Sequence, residues 1–130
     1  MPTVAKYADV KDGRTELTQP GDPNQTIATF SAAGALGKPR PILAFRVNPD
    51  ISAGDVNLTM KLNGQVVVNE DFGSDQARGW TEVIDSNILL AGDNTLTAEL
   101  HASGTGGIGN APFGAGVTVS DVSLLFPVSV

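Results

Sequence analysis

The side chains of this sequence that could contact a ligand begin with its single tryptophan. Trp80 is flanked by Arg78 and Glu82. An exposed indole ring can stack on the apolar face of a sugar, while a guanidinium and a carboxylate beside it can hydrogen-bond hydroxyl groups. Tryptophan is also usually largely buried, so Trp80 could instead cap a hydrophobic core. Both interpretations, a sugar-stacking platform and a core residue, stay open at the level of sequence.

A second candidate contact region is the glycine-rich segment from Ser103 to Gly116. Its Pro-Phe-Gly sequence places Phe113 where the ring could reach a partner or could fold back and anchor its own loop. Asn110 in the same segment and Asp75 upstream of the tryptophan add groups that can hydrogen-bond a ligand. The predicted ligand-binding residues are Trp80, Arg78, Glu82, Asp75, Asn110 and Phe113.

Aspartates in the predicted loops are candidate metal ligands. Asp50 and Asp55 lie in one loop, and Asp71 lies at another. Carboxylate oxygens in loops can hold calcium, so calcium is the one cofactor that the sequence leaves open. The alternative is ordinary turn formation, because aspartate favours turns by hydrogen-bonding its own backbone and no EF-hand spacing is present.

The residue types that are missing exclude several kinds of catalysis. There is no cysteine and only one histidine, His101, which excludes a thiolate nucleophile, a cysteine zinc site and a histidine-rich metal site. No Gly-x-Ser-x-Gly motif accompanies the histidine. The run from Gly104 to Gly109 fits a dinucleotide-binding pattern, but the proline at Pro112 prevents the helix that such a site needs. We therefore predict that the protein is not an enzyme.

The elements that position these residues are predicted to form one domain over residues 1–130. With 41% hydrophobic residues the chain can build one core, and no apolar run approaches the ~20 residues of a membrane span. Eight basic against fourteen acidic residues give a net charge of −6, which argues against nucleic acid and anionic lipid surfaces as partners. Residues 1–10 show no signal-peptide pattern, so three alternatives stay open: the protein acts where it is made, it reaches an extracellular or virion-surface location by leaderless release, or the chain has been trimmed.

Glycines and prolines along the whole chain, without a sustained 3.6-residue apolar period, indicate strands and few helices. Apolar and polar residues alternate in Val56 to Leu62 and in Thr95 to His101, and Asn63-Gly64 predicts a hairpin turn after the first of these strands.

Further strands are predicted at Thr26 to Ser31, Pro41 to Val47, Gln65 to Asn69, Gly79 to Asp85 and Val117 to Phe126. The apolar phase changes within Val117 to Phe126, which predicts a β-bulge near Ser120-Asp121. Thr15 to Gln19 is predicted as a short strand. About eight strands without a helical crossover predict an all-β, antiparallel β-sandwich of jelly-roll type.

Three stretches resemble galactose-binding-like jelly-roll modules, including the sugar-binding domains of β-galactosidase-type glycoside hydrolases. They are Val56 to Gly64, Trp80 to Asp85 and Leu89 to Leu100, within a resemblance that covers roughly residues 56–126. The last stretch contains the Gly-x-Asn-Thr-Leu segment that opens a strand in such modules. The resemblance implies a jelly-roll fold. It also implies glycan binding by end loops in many members, whereas others only pack against neighbouring domains.

Two functions from different classes follow. The first is a non-enzymatic, lectin-like module that binds a glycan through loops at one end of the sandwich. The second is a structural subunit, such as a virion decoration or surface-layer protein, that acts as a homo-oligomer. In the second case the apolar segment Leu124 to Val130 and the turn Gly37 to Pro41 could dock on a neighbouring subunit, although the segment could equally complete its own sheet.

Overall fold

The computed structural model describes residues 2–36 and 38–129, and these residues form eight β-strands. The strands are β1 (Thr3–Thr18), β2 (Asn24–Ser31), β3 (Ile42–Asp50), β4 (Val56–Leu62), β5 (Gln65–Phe72), β6 (Arg78–Val83), β7 (Asp93–Ala102) and β8 (Gly116–Ser129). One sheet has the order β1-β8-β3-β6 and the other β2-β7-β4-β5, with antiparallel pairing throughout. The predicted jelly-roll sandwich is confirmed. In the described part of the chain, no helix is long and apolar enough to cross a membrane.

The facing sides of the two sheets carry the alternating apolar residues and form the core. In β7, Leu96, Ala98 and Leu100 are buried, as the alternation in the sequence predicts. Leu58 and Met60 of β4 lie opposite Leu100 and Ala98 and are also buried. Each large aliphatic side chain buried in this way contributes about 1.5–3 kcal/mol to the free energy of unfolding.

The predicted hairpin between β4 and β5 is confirmed. Leu62 pairs with Gln65, and the two turn residues have positive φ angles, 53° for Asn63 and 81° for Gly64. Positive φ at both positions is the geometry that makes Asn-Gly favourable in a two-residue turn. The Asn63 side chain also donates to Asn94 Oδ1 at 2.8 Å, which ties this turn to the start of β7.

Asn94 explains physically why the Gly-x-Asn-Thr-Leu segment opens a strand. Its side chain is buried and accepts the Leu90 N–H at 2.8 Å, while Nδ2 donates to the carbonyl oxygens of Leu90 at 2.9 Å and Gly92 at 2.8 Å. Counting the bond from Asn63, the amide makes four hydrogen bonds. It therefore holds the turn before β7 in place of regular backbone pairing.

The predicted bulge in β8 is confirmed at Asp121. Its φ angle is 52°. In the pairing with β3, Ala44 pairs with Ser123 and Arg46 with Ser120, so the single residue Phe45 lies opposite two residues of β8. The extra residue lets Val119 and Val122 both face the core, although their spacing in sequence differs from the period of two.

The apolar C-terminal segment completes its own sheet and is not a free docking arm. Residues 124–129 belong to β8, where they pair with residues 3–8 of β1, and Leu124 and Phe126 are buried. Leu124 and Leu125 also pair with Leu43 and Ile42 of β3, so this part of the segment lies in the interior of the sheet. The alternative in which the segment completes its own sheet is therefore confirmed for residues 124–129, with Leu125 left 38% exposed on the outer face, while Gly37 and Val130 lie outside the described residues.

Candidate functional site

Four loops meet at one end of the sandwich, here called the loop end. They join β1 to β2, β3 to β4, β5 to β6 and β7 to β8. The Gln19 N–H donates to the Ala115 carbonyl at 3.0 Å, and the Gly114 N–H donates to the Gln19 carbonyl. Gly54 packs against Pro112 so closely that a Cβ at Gly54 would lie 2.8 Å from the proline ring. Asp75, Asn110 and Phe113 all belong to loops at this end.

Phe113 lies in a turn whose backbone is fixed by hydrogen bonds. Its side chain is 75% exposed, so the ring is not an anchor for its own loop. The Ala115 N–H donates to the Pro112 carbonyl at 3.0 Å, and Gly114 has a φ of 92°, which glycine adopts at little cost. The loop end therefore presents an aromatic ring to solvent on backbone that is fixed by hydrogen bonds.

A polar groove of about 240 Å³ lies beside this turn, on the outer face of β1, β8 and β3. Two cross-strand rows form it. One row consists of Glu16, Thr118 and Asn48, and the next of Thr18, Gly116 and Asp50. Gly116 places no side chain in the middle of its row, so backbone forms the floor there, and a Cβ at this position would lie 3.0 Å from the Leu17 carbonyl oxygen. Gly114, adjacent to Phe113, also lines the groove.

Asp50 is a carboxylate of the groove that accepts two hydrogen bonds from Ser52. The Ser52 hydroxyl donates to its Oδ1 at 2.7 Å and the Ser52 backbone N–H donates to the same oxygen at 3.1 Å. These hydrogen bonds lower the pKa of Asp50 because they favour the ionised form. Asp50 therefore remains a charged acceptor at neutral pH.

Trp80, Arg78 and Glu82 lie on the inner face of the edge strand β6. They pair with three buried residues of β3, namely Phe45, Val47 and Leu43. Trp80 is half-buried, its indole Nε1 donates to Glu82 Oε1 at 2.8 Å, and its ring meets Phe72 edge-on with centroids 5.8 Å apart. The Arg78 guanidinium lies 5.0 Å from the centre of the same Phe72 ring. The structure thus groups these three residues at the open side of the sandwich, which is the side between the edge strands β5 and β6. They lie on the opposite face of their sheet from the groove.

The three candidate calcium ligands have separate surroundings. Asp71 accepts from Asn57 Nδ2 at 3.0 Å and from the Gly104 N–H at 3.2 Å, and these bonds lower its pKa. Asp55 is exposed in the β3–β4 loop. Within residues 2–36 and 38–129, no three acidic or histidine side chains are grouped as metal ligands. Calcium binding at Asp50, Asp55 and Asp71 therefore stays a prediction of the sequence.

The sequence did not reveal a polar network on the outer face of the other sheet. Asn57 and Thr59 alternate with apolar residues as solvent-facing positions would, yet each is 2% exposed. The Thr59 hydroxyl donates to Asn57 Oδ1 at 2.7 Å, and Asn57 Nδ2 donates to Asn69 Oδ1 at 2.7 Å. The β7–β8 loop covers this network, and a Cβ at Gly107 would lie 2.9 Å from the Thr59 hydroxyl oxygen.

His101 fastens the same loop from the neighbouring strand. Its Nδ1 lies 3.0 Å from the Gly109 carbonyl oxygen, and since a carbonyl only accepts, the ring nitrogen is the donor. His101 and Asn110 also form an isolated β-bridge. The network and the histidine together anchor the base of the loop that carries Phe113.

No protein-family model and no curated protein matches the sequence. Several solved structures match it in fold. The CBM36-1 domain of a multidomain xylanase from the hindgut metagenome of Trinervitermes trinervoides has a TM-score of 0.53 at 10% identity, covering 98% of this chain and 100% of that domain. A β-porphyranase of glycoside hydrolase family 86 from Bacteroides plebeius has a TM-score of 0.61 at 18% identity, covering 98% of this chain. Dimeric latent PorU from Porphyromonas gingivalis has a TM-score of 0.61 at 10% identity, also covering 98%.

The structural similarity to these proteins establishes the fold. At 10–18% sequence identity it does not establish a shared ligand or activity. The chain has the jelly-roll fold that occurs in carbohydrate-binding modules and in domains of glycoside hydrolases, which confirms the predicted resemblance to galactose-binding-like modules at the level of fold. The chain spans 21% of the porphyranase chain and 13% of the PorU chain, so it corresponds to a small part of those proteins.

Proposed function

We propose that this protein is a non-enzymatic binding module that recognises a glycan at the loop end. The observation that carries the proposal is an exposed aromatic ring, Phe113, on a fixed turn directly beside a polar groove. A sugar has an apolar face that stacks on an aromatic ring and hydroxyl groups that hydrogen-bond carboxylates and amides. The turn supplies the ring, and Glu16, Asn48 and Asp50 supply the hydrogen-bonding groups.

Asp50 is the central polar contact in this proposal. Both hydrogen bonds from Ser52 go to Oδ1, which leaves Oδ2 to accept a sugar hydroxyl. Gly116 keeps the floor of the groove clear of side chains, so a sugar ring can approach the backbone. The groove, at about 240 Å³, is smaller than the ~300–1,000 Å³ pockets that enclose drug-sized ligands. It therefore suits one or two units of a longer glycan.

Trp80, Arg78 and Glu82 remain a second region to test for glycan contact. Their position on the inner face of β6 and the bond between Trp80 and Glu82 favour a role in closing the open side of the sandwich. Asp75 and Asn110 are exposed at the loop end and could contact the parts of a glycan that extend beyond the groove.

The proposal is tested by screening the protein on a glycan array and repeating the screen with Phe113→Ala. Aromatic contacts of this kind contribute about 0.5–1.5 kcal/mol beyond area burial, so the variant should bind roughly tenfold more weakly. Ile108→Ala is the matched control, because Ile108 is 72% exposed in the same loop but, unlike Phe113, is not next to a residue that lines the groove. Failure to bind any glycan, or equal binding by wild type and Phe113→Ala, contradicts the proposal.

A second candidate function, assembly with another copy of the same chain, is favoured by an apolar row on the outer face of the β1-β8-β3-β6 sheet. The row crosses all four strands and consists of Tyr7, Leu125, Ile42 and Val83, which are 60%, 38%, 39% and 58% exposed. It exposes on the order of 400 Å², comparable to the largest apolar patch of an ordinary monomer. With a polar rim of similar area, a two-fold contact between two copies would bury about 1,600 Å², the standard size of a specific interface.

Light scattering after size exclusion tests this second candidate. If the row joins two copies, wild type is a dimer and the double variant Tyr7→Ser with Val83→Ser is a folded monomer. A monomeric wild type at high protein concentration removes this candidate.

A further inference from the structure

A pair of arginines lies on the same sheet face as the polar groove, one row further along the strands. Arg14 of β1 and Arg46 of β3 both pair with Ser120 of β8. Because adjacent strands are about 4.8 Å apart, the two arginine Cα atoms lie about 10 Å apart with the serine between them. Two long side chains based at that distance can reach a single group held above the serine.

Neither guanidinium forms a short ion pair with a carboxylate among the described residues. Among the described residues, the one ion pair that either makes joins Arg14 Nε to Glu16 Oε1 at 4.0 Å, with both side chains largely exposed. Exposed pairs of this length contribute little to stability, so Glu16 competes weakly for the arginine. On the other side the row ends at Gly79, and a Cβ built there meets no atom within 4 Å. Arg46 is exposed, and its partner on the edge strand, Gly79, places no side chain beside it.

We propose that Arg14 and Arg46 form an anion subsite that binds one acidic group of the glycan, a sulfate ester or a carboxylate, above Ser120. A guanidinium presents paired N–H donors that match the oxygens of sulfate and carboxylate, and the Ser120 hydroxyl can add a third donor. This inference rests on the proposed function. The arginine row lies two residues, about 7 Å, from the row of Glu16, Thr118 and Asn48, so a substituent on a sugar bound in the groove can reach it.

The surrounding charges define the ligand class further. Glu16 and Asp50 line the adjacent groove, and the chain carries a net charge of −6. A densely charged polyanion would meet repulsion along the groove and from the protein as a whole. The subsite therefore selects a glycan with isolated acidic substituents on an otherwise neutral backbone.

The test compares neutral, monosulfated and uronate-bearing oligosaccharides of the same backbone on the array, followed by titration calorimetry with those that bind. Wild type should bind at least one acidic form about fivefold more tightly than the neutral form, with the preference shrinking at high salt. The preferred form identifies the acidic group as sulfate or carboxylate. Arg46→Gln should bind acidic and neutral forms alike. Arg40→Gln, an exposed arginine paired with Asp85 at the other end of the sheet, should keep the preference.

The outcomes separate this inference from the function on which it rests. Binding of neutral and acidic forms with equal affinity, or an acidic preference that survives Arg46→Gln, overturns the anion subsite while leaving glycan binding in place. Absence of binding to every oligosaccharide overturns the proposed function and the subsite together.

Discussion

Replacing Asn94 with aspartate tests how the β6–β7 connection is held. The substitution keeps the size of the side chain and exchanges Nδ2, which donates to the Leu90 and Gly92 carbonyl oxygens, for a third oxygen facing those two. Two hydrogen bonds are lost at about 0.5–1.5 kcal/mol each, and a buried carboxylate gains two repulsive neighbours. We expect the free energy of unfolding to fall by about 3 kcal/mol near neutral pH.

Urea unfolding followed by tryptophan fluorescence measures this loss, and the melting temperature should fall by about 10 °C. Burial beside carbonyl oxygens raises the pKa of the introduced carboxyl in the folded state, so the folded protein binds the proton more tightly and part of the stability returns as the pH falls. Asn24→Asp, at an exposed asparagine, is the control. An Asn94→Asp protein within about 0.5 kcal/mol of wild type would refute the account of this turn.

Two further predictions concern the β7–β8 loop. Gly107→Ala should cost about 1–3 kcal/mol, because φ is 89° and the new Cβ meets the Thr59 hydroxyl oxygen. Gly106→Ala, with φ 67° and open space, should cost less, and equal melting temperatures for the two variants would contradict the packing of the loop on Thr59. The hydrogen bonds that lower the pKa of Asp71 contribute stability that is present at neutral pH and is lost as the pH falls through that lowered pKa. In Asp71→Ala the free energy of unfolding should therefore depend less on pH at acidic pH, and the Gly104 amide should exchange faster. An unchanged pH dependence would contradict a stabilising role of the Asp71 hydrogen bonds.

The parts of the fold that could be predicted are those encoded by neighbouring residues. Asn63-Gly64 specifies its turn by the φ angles it tolerates, and the phase change around Asp121 reveals the bulge. The full length of β1 could not be predicted, because register shifts between Asp9 and Arg14 interrupt its alternation and only the end at Thr15 to Thr18 shows a clear pattern.

The candidate site was less predictable because it depends on which strands become neighbours. Glu16, Asn48 and Thr118 form one row only after β8 is placed between β1 and β3, and no local pattern relates them. The exposure of Phe113 follows from hydrogen bonds of its loop to Gln19, nearly a hundred residues away, and the inner position of Trp80 follows from the pairing of β6 with β3.

The most direct test of glycan recognition at the loop end is a titration of the isotopically labelled protein with a glycan selected on the array, followed by amide chemical shifts. The account predicts that the largest shifts occur at Asn48, Asp50 and the backbone from Gly114 to Thr118, with small shifts along β6. Shifts concentrated at Arg78 to Glu82, or no saturable shift at the groove, would contradict it.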